Sequence, residues 1–169
     1  FFNPVKDKDS FLIKDVIDEA LSILEGSLSK AAIDVQIKID KDISAYGYKN
    51  ELSQAILNII NNAKDALSDK PLEGRALKIS TKQENEFIYI SVADNAGGID
   101  TEIIDKIFEP YFTTKHASSG TGLGLYIVKM IIENSMDGTV CVKNRGSGAD
   151  FIIKIPAMIK ENNNGARRA

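Results

Sequence analysis

The segment Glu51–Leu67, ELSQAILNIINNAKDAL, decides the reading of this chain. Set at about 100° per residue, it places Leu52, Ala55, Ile56, Ile59, Ile60, Ala63 and Leu67 on one side. Gln54, Asn58, Asn61, Asn62 and Asp65 fall within a narrow arc on the other. The period predicts an amphipathic helix from about Lys49 to Ser68, with Asn58 and Asn62 at i and i+4, one above the other. A solvated helix face is usually built from Glu, Lys and Arg, because Asn competes with the backbone and weakens a helix. Three asparagines in mid-helix therefore cost stability and point to a task. An amide oxygen is a hard, neutral ligand suited to Mg²⁺, which keeps several waters and is shared with substrate phosphates.

Outward from this helix the pattern alternates. On the N-terminal side, Ser10 can cap a helix carrying Phe11, Val16, Ile17, Ala20, Leu21, Leu24 and Leu28 at helical spacing. Val35, Ile37 and Ile39 then alternate as in a half-buried strand. Beyond Pro71 and Gly74, LKIST (77–81) and EFIYISVAD (86–94) read as a hairpin around the polar stretch Lys82–Glu86. TEIIDKIF (101–108) predicts a short helix and PYFTTKHASSGTG (110–122) a loop, of a length that usually has a function. A helix with Leu123, Ile127, Ile131 and Ile132 at helical spacing follows, then strands TVCVKN (139–144) and ADFIIKIP (149–156) about Gly146 and Gly148. Strands grouped beside segregated helices predict an α+β fold, a two-layer sandwich with helices on one face of a mixed, mostly antiparallel sheet.

The chain has 169 residues, 43% hydrophobic and 27% charged, which fits one folded domain at about 100–200 residues per domain. Lys and Arg number 21 against 24 Asp and Glu, a net charge of -3, so there is no basic footprint for nucleic acid or an anionic membrane. No apolar run nears the roughly 18 residues that span a bilayer, and FFNPVKDKDS lacks the pattern of a signal peptide. The single cysteine, Cys141, excludes an internal disulfide and a multi-cysteine metal site. Within TVCVKN it is expected to be a buried strand residue.

Three further clusters carry chemistry. In SVADNAGGI a strand ends at Asp94 and runs into Asn95, Ala96, Gly97 and Gly98. Such an Asp can accept a hydrogen bond from an exocyclic amine while the ring lies on glycine backbone, although an ordinary Asp/Gly turn fits the same residues. In SSGTGLGLYIVKMII, Gly120, Gly122 and Gly124 lead into a helix, where free N–H groups and the helix dipole attract phosphate. The spacing is neither the Walker pattern nor the dinucleotide fingerprint. KIFEPYFTTK sets aromatics around Glu109-Pro110, as at the anchored base of a mobile lid. Lys115 could offer a phosphate a cation, and His116, the sole histidine, reads as a solvated lid residue.

Taken in order, these residues resemble the nucleotide-binding catalytic domain of bacterial sensor histidine kinases, in the wider family shared with gyrase, the mismatch-repair clamp and ninety-kilodalton chaperone ATPases. QAILNIINNAKDAL resembles the asparagine box, DNAGGI the first glycine box, IFEPYFTTK the phenylalanine box, GTGLGL the second glycine box and GSGADFIIKIP the last. With the opening FFNP they cover the chain from Phe1 to about Pro156. The resemblance implies a Bergerat-type fold that binds ATP and Mg²⁺. Asn62 would ligate the metal, Asn58 lie beside the phosphates, and Asp65 lie near the ribose or phosphates. Asp94 would accept from the adenine amino group, with Gly98 and Ile99 against the ring. Thr121, Gly122, Leu123, Gly124 and Leu125 would form the phosphate segment, in which Gly122, Leu123 and Gly124 present N–H groups. Lys115 would be the lid cation.

In the hydrolysing relatives a Glu four residues before the magnesium asparagine activates water; here that place holds Asn58, which cannot act as a general base. The resemblance therefore implies phosphoryl transfer to a histidine, a matter of positioning and charge neutralisation, with Asn58 and Lys115 serving the reaction. That histidine would lie outside this chain, in a dimerisation segment of the parent kinase, for relay to an aspartate of a response regulator. Residues 1–9 would end the linker from that segment, 10–158 form the catalytic domain and 159–169 a polar tail. The piece would be monomeric and cytoplasmic, within a homodimeric parent whose membrane anchoring the sequence leaves open. A related protein-serine kinase of the anti-sigma type that regulates a sigma factor, a hydrolysing ATPase and a catalytically silent nucleotide-binding interaction module remain as alternatives. Among the departures, Ala96 replaces a glycine and is tolerable at negative φ, Ala149 replaces a Thr, Lys64 is expected to point away from the polar arc, and Met136-Asp137-Gly138 is expected to affect only a turn.

Overall fold

The computed structural model describes residues 7–114 and 121–158, so Lys115, His116, Gly120 and the tail from residue 159 lie outside the described residues. The chain runs β1 (Asp9–Leu12), α1 (Ile13–Lys30), β2 (Asp34–Lys38), β3 (Ser44–Gly47), α2 (Lys49–Ser68), β4 (Ala76–Glu84), β5 (Phe87–Asp94), α3 (Gly124–Met130), β6 (Thr139–Arg145) and β7 (Gly148–Pro156). A π-helical turn, Ile131–Ser135, continues α3. Five strands form one sheet in the order β2-β4-β5-β7-β6. Only β2 and β4 pair in parallel; the other neighbours are antiparallel. This is the mixed, mostly antiparallel sheet that the sequence predicts.

The period of two decides which face is covered. Ile88, Ile90 and Val92 of β5 and Phe151, Ile153 and Ile155 of β7 are buried, while Tyr89, Ser91, Ile152 and Lys154 between them are only half-buried. The buried set joins Ile13, Val16 and Ile17 of α1 and the apolar side of α2 in one core. Removing an isoleucine side chain from water contributes about 2 kcal/mol, so the apolar side of α2, with Ile56, Ile59 and Ile60 at 0% exposure, pins that helix in one rotation. Its opposite arc then has a fixed direction.

Arg75, buried at the start of the β4 segment, ties the ends of both long helices together. Its guanidinium donates to the carbonyls of Ala31, Ser68, Lys70 and Pro71. Ala31 is the C-cap of α1 and Ser68 the last residue of α2, where carbonyls lack helical partners and a cation is favoured.

Several expectations are corrected. Ser10 caps nothing; it lies in β1, which pairs with β3 in a separate two-stranded sheet, and α1 begins at Ile13 with no side-chain cap. Phe11 is buried as expected, but from a strand, since one apolar residue near an element boundary fits either period. TEIIDKIF forms no helix. The N–H groups of Ile103 and Ile104 both meet the Asp100 carbonyl and those of Lys106 and Glu109 reach back three residues, giving successive turns rather than a continuous ladder. Pro110 discourages helix just before it. The hairpin turn is tighter than the polar stretch suggested: pairing runs to Glu84 and Phe87, with Asn85 at φ 55. Cys141 is exposed, because Val140 and Val142 take the inward positions of β6 and alternation turns Cys141 outward. Met136 does more than shape a turn; it is 5% exposed and joins the core, its methyl 3.1 Å from where a Cβ on Gly47 would stand.

Candidate functional site

The polar arc of α2 divides in two. Asn58, Asn62 and Asp65 are half-buried while Gln54 and Asn61 are exposed, so the row at i, i+4 and i+7 is the part turned toward neighbouring chain. Asn58 Nδ2 donates to the Gly124 carbonyl at 3.5 Å, across 66 residues of sequence. A carbonyl only accepts, so this contact assigns the amide nitrogen to Gly124 and leaves the oxygen free to face elsewhere. Among the described residues no hydrogen bond engages the Asn62 amide. Lys64 does not point away from the arc; its ammonium lies 3.8 Å from the Asp65 carboxylate.

Asp94 closes β5 against the start of β7. Its Oδ1 accepts from the N–H of Ala96 at 2.9 Å and of Ala149 at 3.3 Å. Burial raises its pKa above the ordinary carboxylate value, these two backbone bonds oppose the rise, and nearby Asp150 adds to it. Gly148 fits where nothing else would: a Cβ there would stand 1.7 Å from the Asp94 carbonyl oxygen. Gly97 and Gly98 take φ of +98° and +82°, which L side chains rarely adopt, while Ala96 has negative φ and loses nothing by not being glycine. The Gly97 N–H donates to the Ser147 carbonyl at 2.7 Å. Asn95 bridges back to the Arg75 segment, accepting from the Ala76 N–H at 2.9 Å and donating to the Gly74 carbonyl at 2.7 Å. Ile99 is bonded at both backbone groups by Asn144.

The second glycine segment rests on the phenylalanine segment. Gly122, at φ +70°, leaves no room for a side chain, since a Cβ would lie 2.5 Å from the carbonyl carbon of Tyr111. Tyr111 itself has φ 64, so both sides of this contact are conformationally constrained. Phe108 meets Phe151 edge-on, 6.2 Å between ring centres and 77° between planes, anchoring the turns before Tyr111 to β7. Thr121 Oγ1 accepts from the Leu123 N–H at 3.4 Å. Leu123 is the N-cap of α3, Gly124 its first residue, and Leu125 is half-buried behind them.

The structure thus joins Asn58 to Gly124, Gly122 to Tyr111, Gly98 and Ile99 to Asn144 of β6, and Asp94 to the start of β7. Lys115 lies outside the described residues. Sequence reading gave no role to Asn95 and did not single out Asn144, Ser147 or Arg75. Asn144 left a signal: Val140, Val142 and Asn144 share one side of β6 by alternation, and the third of these positions, exposed in the fold, breaks the apolar series with an amide.

The two-layer sandwich thus carries an asparagine-lined helix, α2, and an Asp-Gly strand end at the close of β5. The sequence profile of the histidine kinase-, DNA gyrase B- and HSP90-like ATPases matches residues 47–159, and the chain belongs to that family. Within it, the chain is of the ATP-binding catalytic type found in sensor histidine kinases, as its relatives indicate. It is 36% identical over 141 residues to the two-component sensor PprA of Pseudomonas aeruginosa, an alignment covering 81% of this chain and 15% of PprA. It is 36% identical over 144 residues to the signal transduction histidine-protein kinase AtoS of Escherichia coli, covering 83% of this chain and 22% of AtoS. The chain thus spans less than a quarter of either relative. Its fold is similar to the crystallised catalytic domain of histidine kinase ThkA, with a TM-score of 0.79 and 30% identity over 89% of this chain and 95% of that domain.

Proposed function

We propose that this domain binds ATP together with Mg²⁺ and passes the γ-phosphoryl group to a histidine outside the chain, for relay to a response-regulator aspartate. The observation that carries the reading is the bond from Asn58 to Gly124, which brings the asparagine face of α2 to the glycine segment that opens α3. Asn62 ligates the metal, which neutralises charge on the transferring group when bound. Asn58 and the N–H groups of Gly122, Leu123 and Gly124 orient the phosphates, with Thr121 and Leu125 holding that segment and Asp65 near the ribose or phosphates. Asp94 accepts from the adenine amino group, and Gly98 and Ile99 lie along the ring. Lys115 supplies the lid cation.

The donor set suits Mg²⁺. The neutral amide oxygen of Asn62 is a hard donor of the kind that would hold Mg²⁺ beside nucleotide phosphates, and the ion would supply charge neutralisation there. The absence of a carboxylate at position 58 favours transfer over hydrolysis. The solved structure of ThkA in complex with the response regulator TrrA is similar to this chain, with a TM-score of 0.74, 27% identity and coverage of 89% of this chain and 42% of ThkA. It supports a response regulator as the downstream partner. We further place residues 1–9 as the end of a linker, 10–158 as the catalytic domain and 159–169 as a polar tail, in a cytoplasmic part of a homodimeric parent. No helix among the described residues is long and apolar enough to cross a membrane.

The test is phosphotransfer in trans. The chain is incubated with Mg-ATP and the separately produced helical segment from upstream in the same gene, and the segment is assayed for an acid-labile, base-stable phosphate. Such a phosphate on a histidine is expected. ATP binding with hydrolysis but no labelled segment would replace the kinase reading with that of an ATPase.

A further inference from the structure

The loop Asp94–Ile99 contains two consecutive glycines at positive φ, so the bonds that fix it have to come largely from elsewhere in the chain. Asn95 holds its start through Gly74 and Ala76, and the Ser147 carbonyl holds its middle through the Gly97 N–H. Its exit is held by one side chain. Asn144 Oδ1 accepts from the Ile99 N–H at 2.8 Å while Nδ2 donates to the Ile99 carbonyl at 2.7 Å. A single amide thus engages both backbone groups of one residue across 45 positions. The same oxygen lies 2.8 Å from where a Cβ on Gly98 would stand, so the amide also packs directly against Gly98. Register places Asn144 opposite Ala149, whose N–H reaches Asp94. The two ends of the loop are therefore referenced to adjoining strands at one cross-strand pair.

We infer that Asn144 is a positioning residue for the nucleotide base: by clamping Ile99 and packing on Gly98, it fixes the backbone wall along which adenine lies and thereby sets ATP affinity and the preference for adenine over guanine. The inference rests on the reading of Asp94 and Gly98 as the adenine site. Guanine presents a carbonyl where adenine presents its amino group, so it meets the Asp94 carboxylate acceptor to acceptor. It also carries an extra amino group on the ring. A fixed wall denies guanine the shift that would relieve both conflicts, and a loosened wall permits it. Asn144 touches no reacting atom, so its loss acts on binding and leaves the phosphoryl step alone.

The experiment titrates the whole chain and its Asn144→Ala, Asn144→Asp and Asp94→Ala variants with Mg-ATP and Mg-GTP by calorimetry, alongside thermal unfolding without nucleotide. Asn144→Ala is expected to weaken ATP binding about tenfold, the scale of one or two lost hydrogen bonds, while GTP binding changes much less, so that the ATP-to-GTP preference narrows. Asn144→Asp keeps the acceptor for the Ile99 N–H but sets oxygen against the Ile99 carbonyl; it should narrow the preference too, and it carries the test should the alanine variant fail to fold. A lowered melting temperature with an unchanged preference would mean a merely structural role and overturn the inference. If Asp94→Ala abolishes ATP binding while both Asn144 variants bind both nucleotides like the parent, the site reading stands and the inference falls. If Asp94→Ala binds ATP undiminished, both fall together.

Discussion

The asparagine helix and the Asp94–Ile99 loop face the same proposed ligand and are built on opposite principles. In α2 the side chains that turn toward the site and those that bury the helix are interleaved in one stretch of 20 residues. Local period fixes where each points, and the buried isoleucines fix the helix. In the loop almost nothing is locally determined. Its shape is imposed by Asn144, Ser147 and Gly148 from the β6–β7 hairpin and by Gly74 and Ala76 from the segment of Arg75. Function on a regular element can cost local propensity and still be secure; function on a glycine loop depends on distant partners.

The sharpest way to break that contrast is to attack the loop from a residue that never touches ligand. Gly148→Ala drives a Cβ into the Asp94 carbonyl and should cost about 3 kcal/mol of stability, measured by urea unfolding; an alanine tolerated within 1 kcal/mol would mean the loop is freer than its contacts indicate. The helix should behave in the opposite way. Asn62→Ala is expected to weaken Mg-ATP binding about a hundredfold, or about 2.7 kcal/mol. It should also stabilise the nucleotide-free domain by about 0.5 kcal/mol, because alanine is the better helix former. Calorimetry and denaturant titration read the two effects separately, and a variant that lost stability instead would remove the argument that this arc is kept for function.

Asp94 sharpens the comparison from within the loop. Burial raises its pKa, so at neutral pH the folded state holds a carboxylate less comfortably than the unfolded chain does. That penalty is complete above the raised value and vanishes as pH falls below the ordinary 3.8, because both states are then protonated. Asp94→Asn, which keeps an acceptor for the Ala96 and Ala149 N–H groups, should therefore raise the melting temperature of the nucleotide-free domain at pH 7, with the gain fading toward pH 3, while weakening ATP binding about tenfold. A gain independent of pH would assign the effect to something other than the charge. The smallest effect is expected at Cys141: exposed on β6, it should react with a maleimide in the native protein and leave ATP affinity unchanged.

Much of this architecture was legible because burial follows period. The helix Lys49–Ser68 and the alternation in β5 and β7 are recorded in residue types alone, since their most deeply buried apolar residues recur at the period that one inward face requires. The departures lie where that link fails. Asp9–Leu12 is too short to show a period, and what makes it a strand is its partner Ser44–Gly47. Ile103, Ile104 and Ile107 have helical spacing, yet the Asp100 carbonyl takes two of their N–H groups and the segment closes as turns. Cys141 was misplaced by one step of alternation, which in a strand exchanges the two faces.

The amino-acid sequence alone determined the α+β sandwich, through the intervals at which residue types recur, and the resemblance to the ATP-binding family, through motifs that follow the order of its asparagine and glycine segments. What only the tertiary structure decided is which residues hold the site in shape. That Gly148 must yield to Asp94, that Gly122 must yield to Tyr111, that Arg75 joins two helix ends and that Asn144 grips Ile99 are contacts between distant positions. No local rule encodes a distance across 45 residues; it exists only once the sheet has set its register.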